Sequence, residues 1–158
     1  MGLSARKKED GKIDDKKFEF LDIAPADAAF VAYGKDMNEV FANAALAVFE
    51  IITDTSKVKA SEKMTIEASG YDLKSLMFGW LSELLYVSSS ENMLFSKFEV
   101  NVREDAEKER VMLKAVCWGE KIDKGSHELH SEVKAITYHK MEIKEEDGKW
   151  KAQVIVDI

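Results

Sequence analysis

Two aspartates stand out from the other acidic residues because their neighbours are apolar. Asp157 closes a strand-like run, "AQVIVDI", one residue before the last position, and Asp27 sits in "APADAAFV" just after the single proline, Pro25. An acidic residue inside an apolar strand usually faces water or compensates another charge. Carboxylate and carbonyl oxygens are also what hard cations such as calcium or magnesium take as ligands. If Ile158 ends the chain, its carboxylate lies one residue from that of Asp157 and adds oxygen donors. Lys134, on a strand that a hairpin can bring near, would balance such a negative cluster. These three readings stay open on composition and spacing alone.

Other chemistry finds less support. His127 and His130 in "HELH" are three apart and His139 follows nine later. Helical zinc pairs sit four apart in HExxH, and zinc wants three or four nitrogen or sulfur ligands, so these read as loop histidines without metal. Cys117 is the only cysteine and lies between Val116 and Trp118 in an apolar run, which suits a buried structural thiol. No GxSxG elbow, no GxxxxGK[ST] and no GxGxxG is present, so no familiar route to nucleophilic catalysis or nucleotide binding is expected. The other acidic residues, Asp54, Glu62, Glu67 and the 104–109 run, sit in polar contexts and read as solvated surface.

At 158 residues, 46% hydrophobic and 34% charged, the chain has the composition of one globular domain. Its formal net charge of −7 makes it a poor solo binder of nucleic acid, where phosphate neutralisation supplies most of the affinity. No apolar run approaches the roughly 18 to 20 residues of a membrane span, and the start has no secretory pattern. With one cysteine, a reducing, cytoplasmic location is expected. Residues 1–17 are charge-mixed and poor in apolar side chains, and are expected to form a mobile tail ahead of a single domain over 18–158.

The elements that must position the aspartates follow from periodicity. "FEFLDI" and "AAFVAYG" read as two short strands. "DMNEVFANAALAVFEIITD" reads as a helix, with Asp36 and Glu39 as a capping-box-like start and apolar residues at 37, 41, 44, 45, 48, 51 and 52 on one face. "MTIEAS" alternates as a strand, and a second helix capped by Asp72 carries a stripe at 73, 76, 77, 80, 81, 84 and 85. After Asn92 the period becomes two: Phe98, Val100 and Val102 alternate with polar residues. "RVMLKAVCWGE" alternates less cleanly, as a strand covered on both faces would. "EVKAITYHKMEIKEE" and "KWKAQVIVDI" flank Asp147-Gly148, which suits a type I′ hairpin turn. The expected fold is α+β, a mostly antiparallel sheet with both helices packed on one face in two layers.

The ordered pieces "AYGKDMNEVFANAALAVFEIITDTSKV", "DLKSLMFGWLSELLYV", "LFSKFEV", "LKAVCWGE", "HELHSEVKAITYHKMEI" and "WKAQVIVDI" resemble the archease family from about Phe18 to Ile158. "EVKAITYH" and the final "DI" are the most specific of them. The resemblance implies a non-enzymatic accessory protein with no catalytic residues, which helps the GTP-dependent tRNA-splicing RNA ligase become guanylylated and turn over repeatedly. The alternative role it implies is a chaperone and specificity modulator of a tRNA methyltransferase. It also implies a site for calcium or another divalent cation at Asp27, Asp157 and Ile158. Lys134, the lysine of the "EVKA" piece, is implied to be functionally important, and His139 is expected close by. One departure matters: the family carries His-Thr before its Ala-Asp, whereas this chain reads Asp22-Ile23-Ala24-Pro25-Ala26-Asp27 and is one residue longer.

Overall fold

The computed structural model describes residues 16–23 and 25–158. Among the described residues, eight strands and two α-helices follow one another in chain order. They are β1 (Phe18–Leu21), β2 (Asp27–Gly34), α1 (Met37–Ile52), β3 (Glu62–Gly70), α2 (Leu73–Glu91), β4 (Met93–Asp105), β5 (Arg110–Lys121), β6 (Ala135–Ile136), β7 (Glu142–Glu146) and β8 (Lys149–Asp157). The class is α+β and every pairing is antiparallel, as expected. The strands divide between two sheets where the sequence suggested one. The first runs β1-β2-β8, with β6 and β7 both pairing with β8, and the second runs β3-β5-β4.

The division explains why α1 is buried more widely than a single stripe predicts. Val40, Ala47 and Phe49 are fully buried besides the expected Phe41, Ala44, Ala45 and Val48. The helix packs on β2 of the first sheet and on β4 of the second, so two faces need apolar cover. Asp36 caps it by accepting from the Glu39 N–H at 2.8 Å, while the Glu39 carboxylate reaches back to the Lys35 N–H. In α2 the box is complete: Asp72 accepts from Ser75 N, and the Ser75 hydroxyl accepts from Asp72 N. Its stripe is buried as expected at Leu76, Met77, Trp80, Leu81 and Leu84.

The hairpin between β7 and β8 turns at Asp147 and Gly148, with φ of 54° and 76°. Positive φ at both central residues is what a type I′ turn requires, and Gly148 meets it without steric cost. That turn sets the register of β8 against β7, and β8 separately pairs with β2, where its end carries Asp157. The stretch read as one strand over 132–146 is instead β6, a turn at 139–140 and β7.

The expected mobile tail lies outside the described residues as far as position 15. Lys16 and Lys17 already touch the fold: Tyr33 N–H donates to the Lys17 carbonyl at 2.8 Å, and Lys16 pairs with Glu19. Among the described residues no helix is long and apolar enough to cross a membrane.

Candidate functional site

The two sequence-singled aspartates meet. In the β2–β8 ladder Asp27 is the direct partner of Asp157, and on the far side of β8 Asp157 pairs with Ala135 of β6. Directly opposed residues of an antiparallel pair project to the same face. That face is the outer one, since Phe30, Ala32, Val154 and Val156 turn inward at alternate positions and are buried. The Ile158 N–H donates to the Ala26 carbonyl at 3.2 Å, so the neighbouring row carries the hydrogen bond. The 27/157 row is therefore the close, unbonded kind, in which opposed Cα atoms lie about 4.5 Å apart.

Asp27 is half-buried and Asp157 exposed. Among the described residues neither carboxylate takes part in an ion pair. Opposed like charges on a ladder are destabilising, so this row holds an uncompensated repulsion that a cation between the two would relieve. The donors are oxygens only, and the third position of the row is a small alanine. This suits a hard cation that completes its shell with main-chain oxygen, such as that of Ile158, and with water. It does not suit a zinc cage: among the described residues no three His, Cys, Asp or Glu side chains gather as a ligand set.

Lys134 is adjacent through its backbone, whose N–H donates to the Asp157 carbonyl at 2.8 Å. The residue is exposed and is among those lining a groove of about 760 Å³ between α2 and the 129–136 segment. The structure thus shows no salt link between Lys134 and the two aspartates. His139 is exposed in the turn after Tyr138, with its N–H on Thr137 Oγ1 at 3.2 Å. No side-chain contact joins it to Asp27 or Asp157 among the described residues.

Features of that groove escaped the sequence reading. Phe78 stacks on Tyr138 with ring centroids 4.3 Å apart and planes 5° from parallel, and Tyr86, two turns on from Phe78, is exposed. Phe78 falls outside the apolar stripe of α2, and an aromatic off the stripe was the available signal. His127, read as a loop histidine, is buried. It sits between Glu120, whose Oε2 lies 2.8 Å from Nε2, and the Asp123 N–H, which donates to Nδ1 at 2.9 Å. An acceptor role at Nδ1 puts the ring proton on Nε2, facing the carboxylate. The Glu120 carboxyl is held below its usual range by the Lys59 N–H it accepts and by His127. Cys117 is buried as expected, and burial pushes its thiol up to about 12.

Comparison with known proteins places these residues in a wider set. Residues 18–158 match the family model described as the Archease protein family. The protein archease of Methanothermobacter thermautotrophicus is 50% identical over 143 residues, covering 90% of this chain and 99% of that relative. That of Sulfurisphaera tokodaii is 45% identical with the same coverage, 90% and 99%. The solution structure of Methanobacterium thermoautotrophicum protein 1598 superposes with a TM-score of 0.75 at 45% identity, covering 90% of this chain and 99% of that one. A crystal structure of an archease, possible chaperone, from Thermotoga maritima gives a TM-score of 0.55 at 15% identity, covering 87% and 95%. That second likeness concerns the fold alone.

Proposed function

We propose that this chain, which belongs to the archease family, is a non-catalytic accessory factor of the GTP-dependent tRNA-splicing RNA ligase. In this reading it promotes guanylylation and repeated turnover of the ligase. Asp27 and Asp157, with main-chain oxygen of Ile158, hold calcium or another divalent cation. Lys134 and His139 face the partner. The observation that carries the reading is the direct opposition of Asp27 and Asp157 on one exposed row, a repulsive arrangement that a bound cation makes favourable. The cation supplies a fixed positive charge at this corner. The chain's own part is to hold two carboxylates in register through the β2–β8 pairing and to present Lys134 beside them through its bond to the Asp157 carbonyl.

The second reading, a chaperone of a tRNA methyltransferase, is favoured by the aromatic groove beside Lys134, because exposed Tyr86 and Tyr138 suit contact with apolar protein surface. A ligation time course with ligase in substoichiometric amount separates the two. Wild type is expected to raise the number of turnovers, and Asp157→Ala and Lys134→Ala to lose most of that gain. No stimulation by wild type, combined with suppressed aggregation of the methyltransferase, favours the chaperone reading. Full stimulation by Asp157→Ala removes the aspartate site while leaving the accessory role.

A further inference from the structure

Among the described residues nothing covers the outer face of the second sheet, and its composition is wrong for a face that meets only water. Along the central strand β5, Val111, Leu113, Ala115 and Cys117 turn inward and are buried. Met112, Lys114, Val116 and Trp118 turn outward, and Met112 is 46% exposed. The solvated side of an antiparallel sheet normally carries polar side chains. Here three of the six outward positions on its middle strand, Met112, Val116 and Trp118, are apolar and consecutive but for Lys114, and no described residue covers them.

Register places charge around that apolar ridge. Lys63 and Lys97 oppose Trp118 from either side, Arg103 opposes Met112, and Lys114 lies on the ridge itself. Lys97 Nζ lies over the Trp118 ring, 4.6 Å from its centroid. Glu67 and Glu99 are the carboxylates on these rows. Four cations against two carboxylates leave a local charge of +2 on a chain whose net charge is −7. None of the four cations is in an ion pair among the described residues. The face forms a shallow trough of about 880 Å³ over the Met112–Val116 part of the ridge.

We infer that the outer face of β3–β5–β4 is a docking surface for a net-acidic protein segment that presents an apolar stripe. The apolar ridge would form the dry centre of the contact and the unpaired cations its polar rim. A second copy of this chain docked symmetrically, face to face, would bring one +2 face against another and is repelled. Nucleic acid fits less well, because bases stack on aromatic rings, whereas Met112 and Val116 offer none and Lys97 covers one side of Trp118. Glu67 and Glu99 would also meet phosphates. The inference does not depend on the aspartate site, which lies on the other sheet.

The test uses the full chain, ¹⁵N-labelled, at low salt. An eight-residue peptide alternating Glu with Leu or Val is added, then the same peptide with Lys for Glu, then a twelve-nucleotide oligouridylate. The acidic peptide is expected to give saturable shifts at the amides of Thr65, Lys97, Arg103, Lys114 and Trp118. The basic peptide should leave these amides in place. The double variant Arg103→Glu, Lys114→Glu, changed only at exposed positions, should keep its dispersed spectrum and weaken the acidic peptide at least tenfold. Absence of saturable shifts with the acidic peptide overturns the inference. So does tighter binding of the oligouridylate at the same amides, or concentration-dependent shifts without any ligand, which would make the face a nucleic-acid site or a dimer contact.

Discussion

Two carboxylate sites lie at the ends of long strands, one on each sheet, and their chemistry is opposite. Glu120, near the end of β5, is closed: it accepts from Lys59 N at 2.9 Å and faces His127 Nε2 at 2.8 Å, while His127 takes the Asp123 N–H on its other nitrogen. Each polar group there has a partner within the chain. Asp157, at the end of β8, is open: it faces a second aspartate, has no ion-pair partner among the described residues, and is exposed. A satisfied cluster holds a loop in place and asks for no ligand. An unsatisfied one stores a repulsion that something outside the chain can relieve. Residue type alone, an acid beside a histidine against two acids, would have ranked the first as the more chemical of the two.

The largest way to break the comparison is to remove the closed site's ring. His127→Ala leaves the Asp123 N–H and one face of Glu120 without their partners in a region where the His127 side chain is 1% exposed. A loss of about 2–3 kcal/mol in unfolding free energy is expected, the combined cost of a cavity and unmet polar groups. Urea denaturation measures it. The stabilisation the variant gains from added calcium should equal that of wild type, because the closed site lies on the other sheet. An unaltered denaturation midpoint would mean that the closed site holds nothing.

Much of the open site was legible in the sequence, and the closed one was not. Asp27 and Asp157 announced themselves by apolar neighbours and Asp147-Gly148 announced the β7–β8 turn, but their opposition rests on the long-range β2–β8 pairing, which only the family resemblance implied. Lys134 joins Asp157 through its backbone, and the residue also lines the α2 groove, which no local pattern shows. The course of an irregular segment over 129–134 depends on its bonds to α1, where His130 N and Ser131 N donate to Ile52 and Ile51 carbonyls. Those are long-range contacts with no periodic trace. The same holds for His127, whose partners lie seven residues back and in a turn. The division into two sheets was hidden because period two marks a strand but does not say which strands it joins. Its one trace was α1, whose Val40 and Phe49 extend the apolar surface beyond the expected stripe.

A smaller effect sharpens the open side. Asp157→Asn removes one of two opposed like charges, which costs or gains between roughly 0.2 and 1 kcal/mol for such pairs. In chelator the variant is expected to be as stable as wild type or more stable by up to about 1 kcal/mol. With millimolar calcium the order should reverse, since wild type alone gains from binding. Thermal melts in EDTA and in calcium read both values. Equal calcium stabilisation of the two proteins would place any cation elsewhere.

The smallest effect concerns acid. The Glu120 carboxyl is held below its usual range first by the Lys59 N–H and then by His127. A carboxyl whose folded pKa lies below its unfolded value, about 4.3 for Glu, contributes stability that is complete above that value. The contribution is lost as pH falls through the folded pKa, because the unfolded chain takes up the proton first. Glu120→Gln should therefore be less stable than wild type at neutral pH, and the two unfolding curves should converge below about pH 4. The effect is modest because the side chain keeps 22% of its exposure and water screens the interaction. Curves that stay parallel from pH 7 to pH 2.5 would show that Glu120 is not held by these donors, and the closed site would then be closed by packing alone. Convergence would instead mean that the closed site senses protons from within, leaving the open site as the place where outside charge acts.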